Sequence, residues 1–261
     1  MRKRTFSAII LLIILVGSVF IGYKAFSIVM LLAAILGYHE LFQIKYKEKK
    51  QNIAMIQLLG YFSLILLVLN NIFFSIDINI LGILPILALT IPIVFYHNYD
   101  TYNINDAFYI MGCVFFLGFG FHNIAYMAKV DIYKCILIFL IAFTTDTYAY
   151  IGGNLIGKHQ LTKISPKKTV EGSIVGTIMG VLIGVVYYNL AIGGLNISEM
   201  IMVCLILTIL SELGDLVMSS IKRYFNQKDY SDLIPGHGGI LDRFDSVLFV
   251  SLGLSIFVSL M

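Results

Sequence analysis

The chain has 261 residues, 59% of them hydrophobic and 13% charged, and a net charge of +3. A soluble domain carries about 25% charged residues, so this composition excludes an ordinary soluble globular protein. Apolar runs of about 20 residues recur along the whole length and point to an all-α, polytopic integral membrane protein. Residues 1–261 read as a single integral domain, with no linker, low-complexity tail or soluble appendage, and no nucleic-acid partner is expected.

The hydropathy pattern predicts helices at about 5–23, 25–43, 53–74, 79–97, 106–128, 132–152, 171–190, 198–221 and 238–260, which makes about nine crossings. The opening Met-Arg-Lys-Arg and the apolar run after it resemble a signal peptide. The run lacks a small-residue cleavage site and another follows at once, so a retained first helix is expected. Cys113, Cys135 and Cys204 lie in apolar segments without paired spacing and read as packing residues.

Placing the N-terminus in the cytoplasm puts fifteen Lys and Arg residues on that side and three (Lys24, Lys129, Lys134) on the other. The same orientation puts two polar loops, 153–170 and 222–237, on the cytoplasmic side. Residues 1–130 form a chemically quiet scaffold half. There Glu40 and His39 read as side chains reaching the bilayer interface, and Lys45–Lys50 as a topology signal and a contact for anionic lipid.

Residues 131–261 carry the chemistry. Asp146 sits within an apolar run, where a carboxylate costs about 2.5–3.5 kcal/mol on insertion scales. It is a functional candidate, the alternative being a structural hydrogen bond to a neighbouring helix. In the following loop, Ser165-Pro166-Lys167-Lys168-Thr169 leads into a helix that Thr169 can cap. Lysines beside a helix N-terminus make an anion site suited to a polyphosphate. Gly172, Gly176, Gly180 and Gly184 then form a small-residue seam for close helix packing.

In the eighth segment, Glu212, Asp215, Ser219 and Lys222 are spaced three, four and three apart and share one face. Asp242 and Asp245 share a face of the ninth, while Arg243 points about 100° away from Asp242. Asp215, Asp242 and Asp245 are expected to converge, with Asp146 joining from the sixth segment. Gathered carboxylates beside a phosphate site suggest Mg²⁺. The alternative is an ion-pair network with Lys222, Arg223 and Arg243. His237-Gly238-Gly239 is expected to open the last helix, where backbone N–H groups can approach an anion and His237 can bind phosphate or act as acid or base.

The run Ser219-x-x-Lys222-Arg223, then Lys228-Asp229, then Ile234-Pro235-x-His237-Gly238-Gly239-Ile240-x-Asp242-Arg243-Phe244-Asp245 resembles the signature of the phosphatidate cytidylyltransferases, or CDP-diacylglycerol synthases. Asp146-Thr147-x-Ala149-Tyr150, Gly157-Lys158-His159 and Ser165 to Gly172 resemble a second stretch of that family. The resemblance covers about 141–246, with Tyr148 and Gln160 departing from the family pattern; the first half matches only as a generic run of helices, plus Glu40 after the second. It implies Mg²⁺-dependent conversion of CTP and phosphatidate to CDP-diacylglycerol and pyrophosphate, the first committed step of CDP-diacylglycerol-based phospholipid synthesis. It further implies Asp215 and Asp242 as leading ligands of one or two metal ions, with Asp245 and Asp146 supporting them. Lys167, Lys168, Lys222 and Arg223 would then hold phosphates, and Ser165, Thr169, Ser219, Lys228, His237, Gly238, Gly239 and Arg243 would complete the pocket. A bacterial inner or plasma membrane with a cytoplasm-facing site is expected, and a homodimer is left open. Two other readings stand beside this one: a CTP-dependent kinase acting on a polyprenol-type lipid, and an ion-coupled transporter using Asp146 and Asp215.

Overall fold

The computed structural model describes residues 2–46, 53–95, 101–234, 236 and 238–260. These form helices α1 (Arg2–Ile21), α2 (Tyr23–Tyr46), α3 (Ala54–Leu69), α4 (Ile78–Thr90), α5 (Pro92–Phe95), α6 (Ile104–Val130), α7 (Ile132–Ile156), α8 (Val170–Tyr187), α9 (Ile197–Tyr224) and α10 (Leu241–Leu260). A π-helical turn, Tyr188–Ile192, continues α8. Isolated bridges are the only β-type pairings among the described residues.

Among the described residues, seven stretches are long and apolar enough to cross a bilayer: α2, α4 with α5, α6, α7, α8 with its π turn, α9 and α10. The 16-residue α3 and the apolar part of α1, Ile10–Ile21, are shorter. Each of the nine expected segments falls on a helix, with α4 and α5 answering together to one. The chain is therefore an all-α, multi-pass membrane protein.

Several boundaries differ from the expected ones for local reasons. The break between α1 and α2 falls at Gly22, whose φ of +128° only glycine adopts readily. The third segment stops at Leu69 because Asn70 leaves the helix, its side-chain oxygen accepting from the Ile76 N–H at 2.8 Å. The last helix starts at Leu241, not at 238. Ile234 N–H donates to the Gly238 carbonyl at 2.9 Å, and Gly238 has φ of +78°, so this turn is closed before the helix begins. His237 lies outside the described residues, as do Lys47, Lys49 and Lys50.

The chain divides into two compact units. The first is Met1–Lys129 with Tyr230–Ile240; the second is Val130–Asp229 with Leu241–Met261.

Within the first unit, α2 packs on α1 and α3, and α3 on α4. Tyr109 of α6 donates to the Leu41 carbonyl of α2 at 2.8 Å. Asn103 and Asp106 cap α6 reciprocally: Asn103 Oδ1 accepts from the Asp106 N–H, and Asp106 Oδ2 from the Asn103 N–H. Asp106 is also buried against Lys45, 2.9 Å away, and the Tyr46 hydroxyl. Lys45 therefore has a structural partner in addition to any role in topology.

Glu40 corrects the sequence reading. It is 3% exposed, its side chain held inside the protein and not extended outward. Its Oε1 accepts from Ser231 Oγ at 2.6 Å and from the Ile240 N–H at 2.8 Å.

Within the second unit, α8 is packed between α7 and α9 along its glycine seam. A Cβ on Gly176 would stand 2.8 Å from both the Ala149 Cβ and the Thr145 carbonyl, and one on Gly184 would meet the Cys204 sulfur at 3.0 Å. The helix starts are capped by Asp131 for α7, Thr169 for α8, and Asn196 with Glu199 for α9. All three cysteines are free and buried, as their sequence context suggests.

Candidate active site

The second unit encloses a cavity of about 650 Å³ into which three helices and one loop bring charged side chains. Asp146 comes from α7. Glu212 and Asp215 come from α9, Asp242, Arg243 and Asp245 from α10, and Lys167 and Lys168 from the loop before α8. The expected convergence of Asp146, Asp215, Asp242 and Asp245 is thus present.

The loop is pinned at both ends. Glu171, in the first turn of α8, accepts from the N–H groups of Lys158 and His159 at 3.0 and 3.2 Å and pairs with His159 Nδ1 at 2.6 Å. Inside it, Leu161 N–H donates to the Lys168 carbonyl and Lys168 N–H to the Ser165 carbonyl. Thr169 Oγ1 accepts from the Gly172 N–H at 3.1 Å and caps α8. The chain is thereby turned so that two consecutive lysines meet the cavity.

The shared face of α9 supplies the next layer. Glu212 accepts from the Ser173 and Thr177 hydroxyls of α8. Asp215 accepts from Ser219 Oγ at 3.2 Å and pairs with Lys168 at 2.5 Å. Lys222 donates to Asp242 Oδ1 at 2.5 Å, the two side chains being 10% and 3% exposed. Ser246 of α10 bridges two helices, its hydroxyl donating to Asp146 Oδ2 at 3.0 Å. Its N–H donates to Asp245 Oδ1 at 2.9 Å.

Five carboxylates therefore share the wall with Lys167, Lys168 and Arg243, and Lys222 engages one of the five, Asp242. Among the described residues, neither Asp146 nor Asp245 has an ion-pair partner. Such a surface attracts a cation while presenting ammonium and guanidinium groups to an anion, the requirement for bringing two negatively charged reactants together.

The other expected site residues fall elsewhere. Ser219 sits beside Asp215, and Ser165 contributes its carbonyl within the loop. Arg223 is exposed and donates to the Gln227 carbonyl at 2.8 Å, closing the end of its own helix. Lys228 is exposed. Gly238 and Gly239 belong to the first unit. Sequence reasoning did not assign site roles to Glu212, Ser173, Thr177 or Ser246. The spacing of Glu212 from Asp215 and the hydroxyls beside the glycine seam were the signals available for the first three, whereas the Ser246 to Asp146 contact had none.

An all-helical, multi-pass fold in which acids, lysines and an arginine converge on one cavity fits a membrane-embedded enzyme. The profile of the cytidylyltransferase family matches residues 2–261. The phosphatidate cytidylyltransferase of Staphylococcus haemolyticus (strain JCSC1435) is 33% identical over 255 residues, 96% of each chain. Those of Staphylococcus epidermidis (strain ATCC 12228 / FDA PCI 1200) and Staphylococcus aureus (strain COL) are 39% and 38% identical over 152 residues, 58% of each chain. The chain belongs to the cytidylyltransferase family, and it is a nucleotidyltransferase.

Proposed function

We propose that the chain transfers the cytidylyl group of CTP to phosphatidate, giving CDP-diacylglycerol and pyrophosphate, at the cytoplasmic face of a bacterial plasma membrane. The observation that carries the reading is the cavity itself. Its volume of about 650 Å³ lies within the range of small-molecule sites, and its wall joins four aspartates to two lysines and an arginine.

The phosphate of phosphatidate is ionised at neutral pH and needs no strong general base. One of its oxygens would attack the α-phosphorus of CTP. The new O–P bond forms as the bond to the bridging oxygen of the β-phosphate breaks, and that oxygen leaves with pyrophosphate. Lys167, Lys168 and Arg243 would hold the phosphates in line and offset their mutual repulsion. Lys222, fixed on Asp242, would keep that carboxylate oriented.

The residues fit Mg²⁺. The donors are hard carboxylate oxygens, and Asp146 and Asp245 have no ion-pair partner among the described residues. Among those residues, no three His, Cys, Asp or Glu side chains form a protein-only metal cage. Mg²⁺ commonly uses one or two carboxylates with substrate phosphates and water, so such a cage is not required. Asp215 and Asp242 would hold the ion, supported by Asp245 and Asp146. Bound there, it would neutralise charge on the reacting phosphates.

The test supplies purified protein in detergent–lipid micelles with CTP labelled at the α-phosphate, phosphatidate and Mg²⁺. Label moving into the lipid phase, with pyrophosphate released, is expected. CDP with a phosphorylated lipid would show a kinase instead, and the absence of any nucleotide turnover by folded protein would refute both.

A further inference from the structure

Glu40 is a carboxylate buried in α2 among Gly37, Tyr38, Leu41 and Phe42. Packing alone does not explain an acid there, because burying a charge is costly unless it is hydrogen-bonded. Its bonds go to the segment Tyr230–Ile240, 191 and 200 residues away in sequence. One oxygen takes Ser231 at the start of that segment and Ile240 at its end, so a single carboxylate closes it into a loop. Gly239 completes the fit, because a Cβ there would collide with the Glu40 carboxylate.

The segment is short and internally tied by the Ile234 to Gly238 hydrogen bond. Its last backbone N–H is the one held by Glu40. The next residue, Leu241, begins α10, and the one after it is Asp242, the carboxylate engaged by Lys222. Two peptide links therefore separate the Ile240 N–H held by Glu40 from the Asp242 backbone.

We propose that Glu40 is a positioning residue for the transfer reaction: by fixing Ser231 and Ile240 it sets the backbone from which Asp242 enters the active site. It touches no substrate and acts only through Asp242. This inference rests on the reading given under the proposed function.

The test uses the full chain in detergent with Glu40→Ala and Glu40→Gln, and His39→Ala as a control at the neighbouring exposed position. Amide hydrogen exchange is followed across residues 230–242, and kcat and KM for CTP are measured in the label-transfer assay. Loss of a charge-assisted anchor should speed exchange at Ile240 and Asp242 by roughly 10- to 100-fold in Glu40→Ala. The same variant should lose about tenfold or more in kcat, with KM for CTP within about twofold. Glu40→Gln keeps an acceptor and should fall between Glu40→Ala and wild type, while His39→Ala should match wild type.

Unchanged exchange at 230–242 in Glu40→Ala overturns the inference. So does a kcat within about twofold of wild type, or a uniform loss of protection through α7–α10, which would mark a residue needed only for folding. If wild-type protein forms no cytidylated lipid, the functional reading fails on that result alone. The positioning claim is then decided by whether exchange at Asp242 rises together with exchange at Ile240.

Discussion

Replacing Lys222 with methionine isolates the most buried charge pair of the active site. Lys222 Nζ lies 2.5 Å from Asp242 Oδ1, and the side chains are 10% and 3% exposed. Methionine retains the apolar stem and removes the ammonium that Asp242 Oδ1 accepts from. Breaking one side of a buried pair costs about 3–5 kcal/mol. Thermal or denaturant unfolding in detergent should therefore show a loss of that order in Lys222→Met. A second change, Asp242→Leu, removes the carboxylate as well and should restore much of the stability, since an apolar pair of similar volume is often neutral or better. Label transfer should stay below about one hundredth of wild type in both the single and the double variant. Stability and activity would then separate: the first recovers and the second does not. Wild-type unfolding behaviour in Lys222→Met would refute the claim that this pair is desolvated. Activity returning with stability in the double variant would refute the role of Asp242.

Three further outcomes are expected. Chelation of divalent ions should abolish label transfer, and added Mg²⁺ should restore it; in Asp245→Asn the Mg²⁺ concentration for half-maximal rate should rise by about tenfold, read from a metal titration. Gly180→Ala places a Cβ 2.5 Å from Thr145 Oγ1 and 2.6 Å from Thr208 Cγ2, and should lower stability by about 1–3 kcal/mol in unfolding experiments. Lys168→Ala leaves Asp215 without its 2.5 Å partner and removes a cation from the cavity wall; kcat/KM for CTP should fall by about 100-fold in steady-state assays.

The helical fold was legible because a backbone in hydrocarbon must satisfy its own polar groups, which makes long apolar runs helices. The same logic exposed Asp146, Asp215, Asp242 and Asp245, whose place in apolar helices has no cheap explanation. The glycine seam of α8 was equally plain from its four-residue period. Lys222 and Arg223 are neighbours in the motif but part on a helical wheel. Adjacent residues diverge by about 100°, so only Lys222 follows Glu212, Asp215 and Ser219, and Arg223 turns out to its own helix end. Glu40 was beyond reach. Its partners lie 191 and 200 residues away, and nothing in α2 separates an interfacial acid from one that caps a distant loop. The start of α10 was misplaced for a related reason: the Gly238 turn depends on a hydrogen bond to Ile234 that glycine content alone does not specify.

The path of the chain between α9 and α10 constrains how the gene could be rearranged. Tyr230–Ile240 belongs to the first unit, although its neighbours on both sides belong to the second. A cut at residues 129 and 130 would therefore not yield two self-sufficient halves: the amino-terminal piece would lack eleven residues of its own unit, encoded by the other piece. Split versions, domain swaps between homologues and duplications of one half all have to carry this short stretch along, paired with the Glu40 that receives it.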